Sequence, residues 1–388
     1  MSISTGTRQQ PPLGIRLLSA LRKEPDWLTM PAEELTAFRD AENRRRSSPL
    51  MRIVTGFPNR GTTIGWQEVA LPDRTLRVRV YRPSPARAGS AALPLVLHVH
   101  GGGFVGTAAQ SDWINSHLAG RLPAVVVSVE HRLVAPGLPL SAAIDDGWDV
   151  LGHVVGEPER WGVDPARVAV FGESAGSIVT ALAAVRARDS GLALRAQVLV
   201  NPCVDLTSTA LDYPSMAEHG NSPTLTVAQM KLFRRLAAPD GTDPRAVSPL
   251  YAGDLGGLPP SLVVVPTLDP VADHGRTYAQ RLRAAGTTVS LTEHAGAGHA
   301  FLSMPGMVPT QAKAAMAEIT EFLRARLTSS PDEHDGRQQR VRAGEQQTES
   351  GVVGPADHGE EERAAERVQG RVPDGRQGPS ATAGAEDL

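Results

Sequence analysis

Six short runs of almost unbroken apolar residues constrain this chain most: LPLVLHV, AVVVSVE, RVAVFG, AQVLVNP, SLVVVPT and TVSLTEH, spread from Leu93 to His294. Each has the length of a strand. An apolar run without alternation suits a parallel strand covered on both faces. Helical stretches lie between most of the runs. Strands alternating with helices imply a doubly wound α/β sheet with right-handed crossovers.

The flanks differ. IGWQEVAL and RTLRVRVYRP are separated by the turn signal Pro72-Asp73. In the second run Leu76, Val78 and Val80 alternate with arginines, as in a half-buried antiparallel strand. Before them, Leu13 to Arg46 reads as helical, broken at Pro25. Pro31 is expected as a first helical residue, with acidic residues behind it near the helix's positive end. From Asp205 to Pro249 the strand–helix rhythm breaks. Two helical patterns, DYPSMAEHG and TVAQMKLFRRLAA, read as an insertion above the sheet that meets the N-terminal helices. Beyond Leu327 there is no aromatic residue and little large aliphatic content. Such a tail cannot bury enough apolar surface to offset chain entropy and is expected to be disordered, with EEERAAERV at most a transient helix. The division expected is a helical cap region at 1–48, a catalytic domain at 49–327 with the insertion at about 205–249, and a tail at 328–388.

Composition excludes some classes. The chain has 388 residues and a formal net charge of −3, so no overall basic field points to nucleic acid. Its one cysteine, Cys203, lies in an apolar stretch and reads as a small buried hydrophobe. A disulfide within the chain is impossible, which fits the cytoplasm. No apolar run reaches the ~18 residues of a membrane span, and MSISTGTRQQPPLG lacks the pattern of a signal peptide.

The chemistry-bearing stretch is Val168 to Gly176, VAVFGESAG, followed by the helical SIVTALAAVRA. Gly172-Glu173-Ser174-Ala175-Gly176 is G-x-S-x-G in the strand–turn–helix context that it requires. A turn this tight has room only for glycine on either side of the serine, and it exposes the Ser174 hydroxyl at the strand's carboxyl end beside a helix amino terminus. An activated serine needs a base and a group that orients the base, here in the chain order serine, acid, histidine. Asp269 follows SLVVVPT at a strand's carboxyl end and is preferred to Asp273, for which a capping or surface role is expected. His299 ends the glycine-rich AGAG loop and is preferred to His294, which lies in or at the end of a strand. Donors for an oxyanion are expected from the Ala175 amide and from Gly102 and Gly103 in His100-Gly101-Gly102-Gly103. His98 and His100 could share a strand face as metal ligands, but no further clustered ligand set accompanies them. The lysine and serine or threonine of a phosphate loop are absent. A plain structural turn is the remaining alternative.

Together these residues resemble the hormone-sensitive-lipase-like family of α/β-hydrolases, the bacterial HGGG esterases. The likeness covers about Leu93 to Leu323: HGGGF, GESAG for GDSAG, EHRLVAP for YRLAP, WGVDPARVAVFG, VSPLYAGDLGGLPPSLVVV, the Asp269-Pro270 pair and GHAF. It implies an α/β-hydrolase fold, a mostly parallel central sheet flanked by helices with a helical cap. It also implies catalytic Ser174, Asp269 and His299 and oxyanion amides from Gly102, Gly103 and Ala175, with His100, Gly101, Gly172 and Gly176 shaping the two turns. Glu173, Ser177, His131, the extra residue before Ala135, and Gly137 depart from the family pattern.

The activity expected is serine carboxylic-ester hydrolysis on small to medium acyl esters through an acyl-enzyme, with no metal or organic cofactor. His299 must be neutral to act as base, so activity should fail on the acid side near the ordinary histidine value of about 6.5. The alternatives are a biosynthetic cyclase, eliminase or acyltransferase using the same triad, and a binding protein on an inactive scaffold. Phe104, Trp113 and Met230 are pocket candidates. An edge strand such as TVSLTEH could pair two copies into a homodimer.

Overall fold

The computed structural model describes residues 12, 14–16, 25–88 and 91–328. The expected disordered tail and the helical reading of 17–24 lie outside the described residues. The strands are β1 (Thr62–Ala70), β2 (Thr75–Pro83), β3 (Leu93–Val99), β4 (Val125–Val129), β5 (Val163–Glu173), β6 (Ala196–Val200), a small hairpin of β7 (Asn221–Ser222) and β8 (Leu225–Thr226), then β9 (Ser261–Leu268) and β10 (Val289–Gly298). All but the hairpin form one sheet in the order β1-β2-β4-β3-β5-β6-β9-β10. Only β1–β2 and β2–β4 pair antiparallel. The other neighbours are parallel. The six apolar runs are therefore the parallel part of the sheet, and the two flanking runs its antiparallel edge.

The main helices are α1 (Ala32–Arg46), α2 (Asp112–Arg121), α3 (Leu140–Gly156), α4 (Ala175–Ser190), α5 (Pro214–His219), α6 (Val227–Ala237), α7 (Ala272–Ala284) and α8 (Pro309–Leu327). The pleat sorts the strand residues between two faces. Leu95, Leu97 and Val99 pack with Val150 and Leu151 of α3 and Ile178 of α4. Val96 faces the other way, toward Ile114 and Leu118 of α2 and Ile319 and Leu323 of α8. Covered on both sides, β3, β4 and β6 can be apolar nearly throughout. α4 is buried along most of its length, from Ala175 to Ala187, and carries alanines where it crosses the sheet. It stops at Gly191, whose φ of 77° suits the left-handed C-cap.

Two segments outside the sheet meet above its carboxyl edge. Trp27 packs edge-on against Phe38 of α1 at 5.0 Å between ring centroids and tilts onto Phe104 at 5.5 Å. Arg235 of α6 donates to the Leu28 carbonyl at 3.1 Å. α6 opens on a capping box: the Gln229 N–H donates to Thr226 Oγ1 at 3.2 Å, and the Thr226 N–H to Gln229 Oε1 at 2.9 Å. Sequence patterning locates α5 and α6 but not the β7–β8 hairpin, whose strands are too short to show a period. Pro31 stands one residue earlier than expected. Its ψ of 155° makes it the N-cap, and Ala32 is the first helical residue. A φ near −63° serves either position.

Candidate active site

β5 ends in a turn that only glycine can flank. A Cβ on Gly172 would collide with the Gly176 carbonyl and with Thr180 Oγ1, and one on Gly176 would come within 2.6 Å of the His100 carbonyl oxygen. Between them Ser174 takes φ 51° and ψ −118°, a strained conformation for a side-chain-bearing residue. Its N–H donates to the Val200 carbonyl of β6 at 2.9 Å. Ser177, where the family has a second glycine, donates its hydroxyl to the Gly172 carbonyl at 2.8 Å. The departure therefore braces the turn.

The structure brings the three expected side chains together. Ser174 Oγ lies 2.7 Å from His299 Nε2. His299 Nδ1 lies 2.9 and 3.0 Å from the two oxygens of Asp269. A carboxylate can only accept, so Nδ1 carries the proton and Nε2 faces the hydroxyl as acceptor. Asp269 is fully buried, and its Oδ1 also accepts the Val271 N–H at 3.0 Å. The two rejected candidates stand apart from this chain. Asp273, in the first turn of α7, accepts the Ser215 N–H and pairs with Arg276. His294 meets Glu318 at 3.2 Å.

The HGGG stretch runs from the end of β3 across the same edge. Gly102 and Gly103 have φ of 112° and 44°, left-handed values that favour glycine. Among the described residues, the amides of Gly102, Gly103 and Ala175 donate to no protein acceptor. His100 donates from Nδ1 to the Gly101 carbonyl at 2.9 Å and stacks on His131 with centroids 4.3 Å apart. Burial first, and His131 second, hold the His100 imidazole well below the ordinary histidine range, so it stays neutral. The His131 ring in turn lies between two carbonyls, that of Arg132 at 3.0 Å from Nδ1 and that of His100 at 3.3 Å from Nε2. The next residue of that stretch, Arg132, forks onto buried Asp146.

His98 and His100 do not act as a pair. Asn115 donates to His98 Nδ1 at 3.1 Å, so the His98 proton sits on Nε2 and is given to Glu173 Oε1 at 3.3 Å. Glu173 also accepts from Ser111 and from Ser303, the latter at 3.1 Å. Ser303 lies in the turn just after His299. The carboxylate thus links the nucleophile turn to the histidine loop, a role that sequence marked only as a departure from aspartate. No group of three potential metal ligands is found among the described residues.

A cavity of about 120 Å³ opens over Ser174 and His299. Trp27 and Phe38 from the N-terminal segment, Phe104 from the glycine loop, and Met230 and Phe233 from α6 line it. Of the three pocket candidates, Phe104 and Met230 are in its wall. Trp113 is not: it is buried in α2 and packs against His117. Cys203 is buried as expected, yet it also forms part of the wall. Burial pushes its thiol up, out of the reactive range.

A family model described as the alpha/beta hydrolase fold matches residues 96–303. Among characterised relatives, the esterase LipI of Mycobacterium tuberculosis is 36% identical over 249 residues, 63% of this chain and 76% of that protein. The chain belongs to the α/β-hydrolase family. The carboxylesterase NlhH of the same bacterium is 36% identical to this hydrolase over 257 residues, 64% of this chain and 78% of that one. An ethyl acetate hydrolase of Pseudomonas putida is 32% identical over 296 residues, 74% and 90% of the two chains. Among solved structures, a thermostable esterase from Pseudomonas putida superposes on the hydrolase with a TM-score of 0.72 at 26% identity, covering 85% of this chain and all of that one. The glycine turns, the sheet and the hormone-sensitive-lipase-like motifs of the hydrolase all fall within or beside the matched region. Among its described residues no helix is long and apolar enough to cross a membrane.

Proposed function

We propose that this α/β hydrolase, an enzyme that hydrolyses ester bonds, acts on small to medium carboxylic esters through a covalent acyl-enzyme. His299 takes the Ser174 proton, and Asp269 fixes the imidazole tautomer and stabilises the imidazolium. Ser174 attacks the ester carbonyl. The amides of Gly102, Gly103 and Ala175 bind the oxyanion, with the amino terminus of α4 adding positive potential. His299 then gives its proton to the leaving alcohol, and water repeats the sequence on the acyl-enzyme. The observation that carries this reading is the unbroken chain from Ser174 Oγ to His299 to Asp269, at 2.7 and 2.9 Å. In this reading residues 1–48 and the insertion at 205–249 act as a cap that shapes the substrate cavity over a catalytic domain at 49–327. The enzyme works in the cytoplasm on a small-molecule ester. β10 is an edge strand of the sheet and offers a route to a homodimer.

The test is hydrolysis of p-nitrophenyl butyrate. Ser174→Ala is expected to fold normally and to lower kcat by about 10⁴-fold or more. Near-normal turnover in that variant would overturn the assignment.

A further inference from the structure

Asn201 follows β6 directly, next to Val200, whose carbonyl holds the Ser174 amide. It is 1% exposed and lines the same cavity as Ser174 and His299. Neither Oδ1 nor Nδ2 of its side chain has a hydrogen-bond partner among the described residues. Its backbone is anchored, with the N–H donating to the Val264 carbonyl at 2.8 Å, and its φ is 37°. Left-handed backbone accounts for asparagine over most other side chains. It does not account for a buried amide with both ends unpaired, because leaving such groups unsatisfied is costly and glycine would serve the backbone better. Strained, unsatisfied residues of this kind collect at ligand sites.

From this we infer that Asn201 is a substrate-binding residue that recognises a hydroxyl group carried by the ester near its carbonyl. An amide offers both a donor and an acceptor, and a hydroxyl answers both. One part of the wall suits the hydrocarbon portion of such a substrate: Phe38, Phe104, Met230 and Phe233 are apolar, while Arg46, Thr224 and Gln229 make another part polar. A purely hydrocarbon ester would leave the amide desolvated and unpaired. A site built to bond a hydroxyl discriminates strongly against the analogue that lacks it. The inference rests on Ser174 acting as the nucleophile.

The hydroxyl could belong to the acyl or to the alcohol half, and two isosteric pairs separate these. Methyl lactate is compared with methyl isobutyrate, and hydroxyethyl isobutyrate with propyl isobutyrate, by titrating the released acid. The wild type is expected to favour the hydroxylated ester of one pair by about 10-fold or more in kcat/KM. Asn201→Gly keeps the positive φ at no steric cost. It is expected to bring that ratio close to one, with the melting temperature retained. A wild type without preference in either pair would overturn the inference. So would a ratio that survives in Asn201→Gly, or an equal fall on both members of a pair. Ser174→Ala in the same assay reads the nucleophile separately: persistent turnover there would remove the triad, whatever the ratios.

Discussion

Two glycine turns meet over the candidate nucleophile, and they are held by different things. Around Gly172 and Gly176 the neighbours are mostly backbone: a Cβ on either would strike a carbonyl of the turn itself or of the strand end beside it. The turn is part of the sheet. The HGGG loop leans instead on side chains from outside the sheet. A Cβ on Gly103 would come within 2.6 Å of the Phe233 ring of α6. Gln110 donates to the Gly101 carbonyl, and Arg46 of α1 holds Gln110 at 3.2 Å. Asn43 of α1 accepts the Gly106 N–H at 2.8 Å. Gly102 and Gly106 are closed by their own loop, through the Val105 and Gly101 carbonyls, and Gly101 lies against the Glu173 carbonyl. One turn is thus fixed by the fold that carries it, and the other is shaped in part by side chains of α1 and α6, above all at Gly103.

The contrast can be broken most severely at Gly176. Gly176→Ala is expected to cost more than about 4 kcal/mol, because rigid backbone has to move. Trimming a single side chain should not rescue it. Soluble yield and thermal unfolding measure this, and a stable Gly176→Ala protein would make the turn no more fixed than its neighbour.

Gly103→Ala comes next. Positive φ disfavours it by about 1–2 kcal/mol, and displacement of the proposed oxyanion amide should lower kcat about 100-fold. In a Phe233→Ala background part of the stability loss should vanish, with a coupling of about 1 kcal/mol in the double-mutant cycle. A coupling of zero would separate the loop from α6.

The smallest effect is at Glu42. Burial pushes its carboxyl up, but hydrogen bonds and charge from Arg45 and Arg46 outweigh that and bring it to about 2. A carboxyl lowered by folding adds stability above its ordinary value of 4.5 and loses it as pH falls toward about 2. After solvent screening of the arginines the contribution is about 1–2 kcal/mol at neutral pH. Glu42→Gln should be destabilised by that amount at pH 7, with the gap to wild type closing on acidification and kcat changing less than about 3-fold. A gap that does not change with pH would detach the Glu42 charge from the anchoring of α1.

What sequence reveals follows the same division. The parallel strands were legible because burial on both faces writes itself as an apolar run, and the glycines around Ser174 because only glycine fits there. Asp269 and His299 could be placed by chain order at strand ends. The cover was legible only as a broken rhythm. Phe104 and Met230 reach the cavity and Trp113 does not, a distinction that depends on how segments distant in sequence dock. The tie of Glu173 to Ser303, the stacking of His131 on His100, and the unpaired amide of Asn201 are all contacts between distant residues, which no local pattern encodes.

Intact-mass and peptide analysis after treatment with an alkyl phosphonate ester, alongside loss of p-nitrophenyl butyrate hydrolysis, tests the serine mechanism most directly. One adduct per chain is expected, on the peptide that contains Ser174, with activity lost in proportion to labelling and neither seen in Ser174→Ala. An unlabelled chain that still hydrolyses the ester, or a label on another residue that tracks the loss, would contradict it.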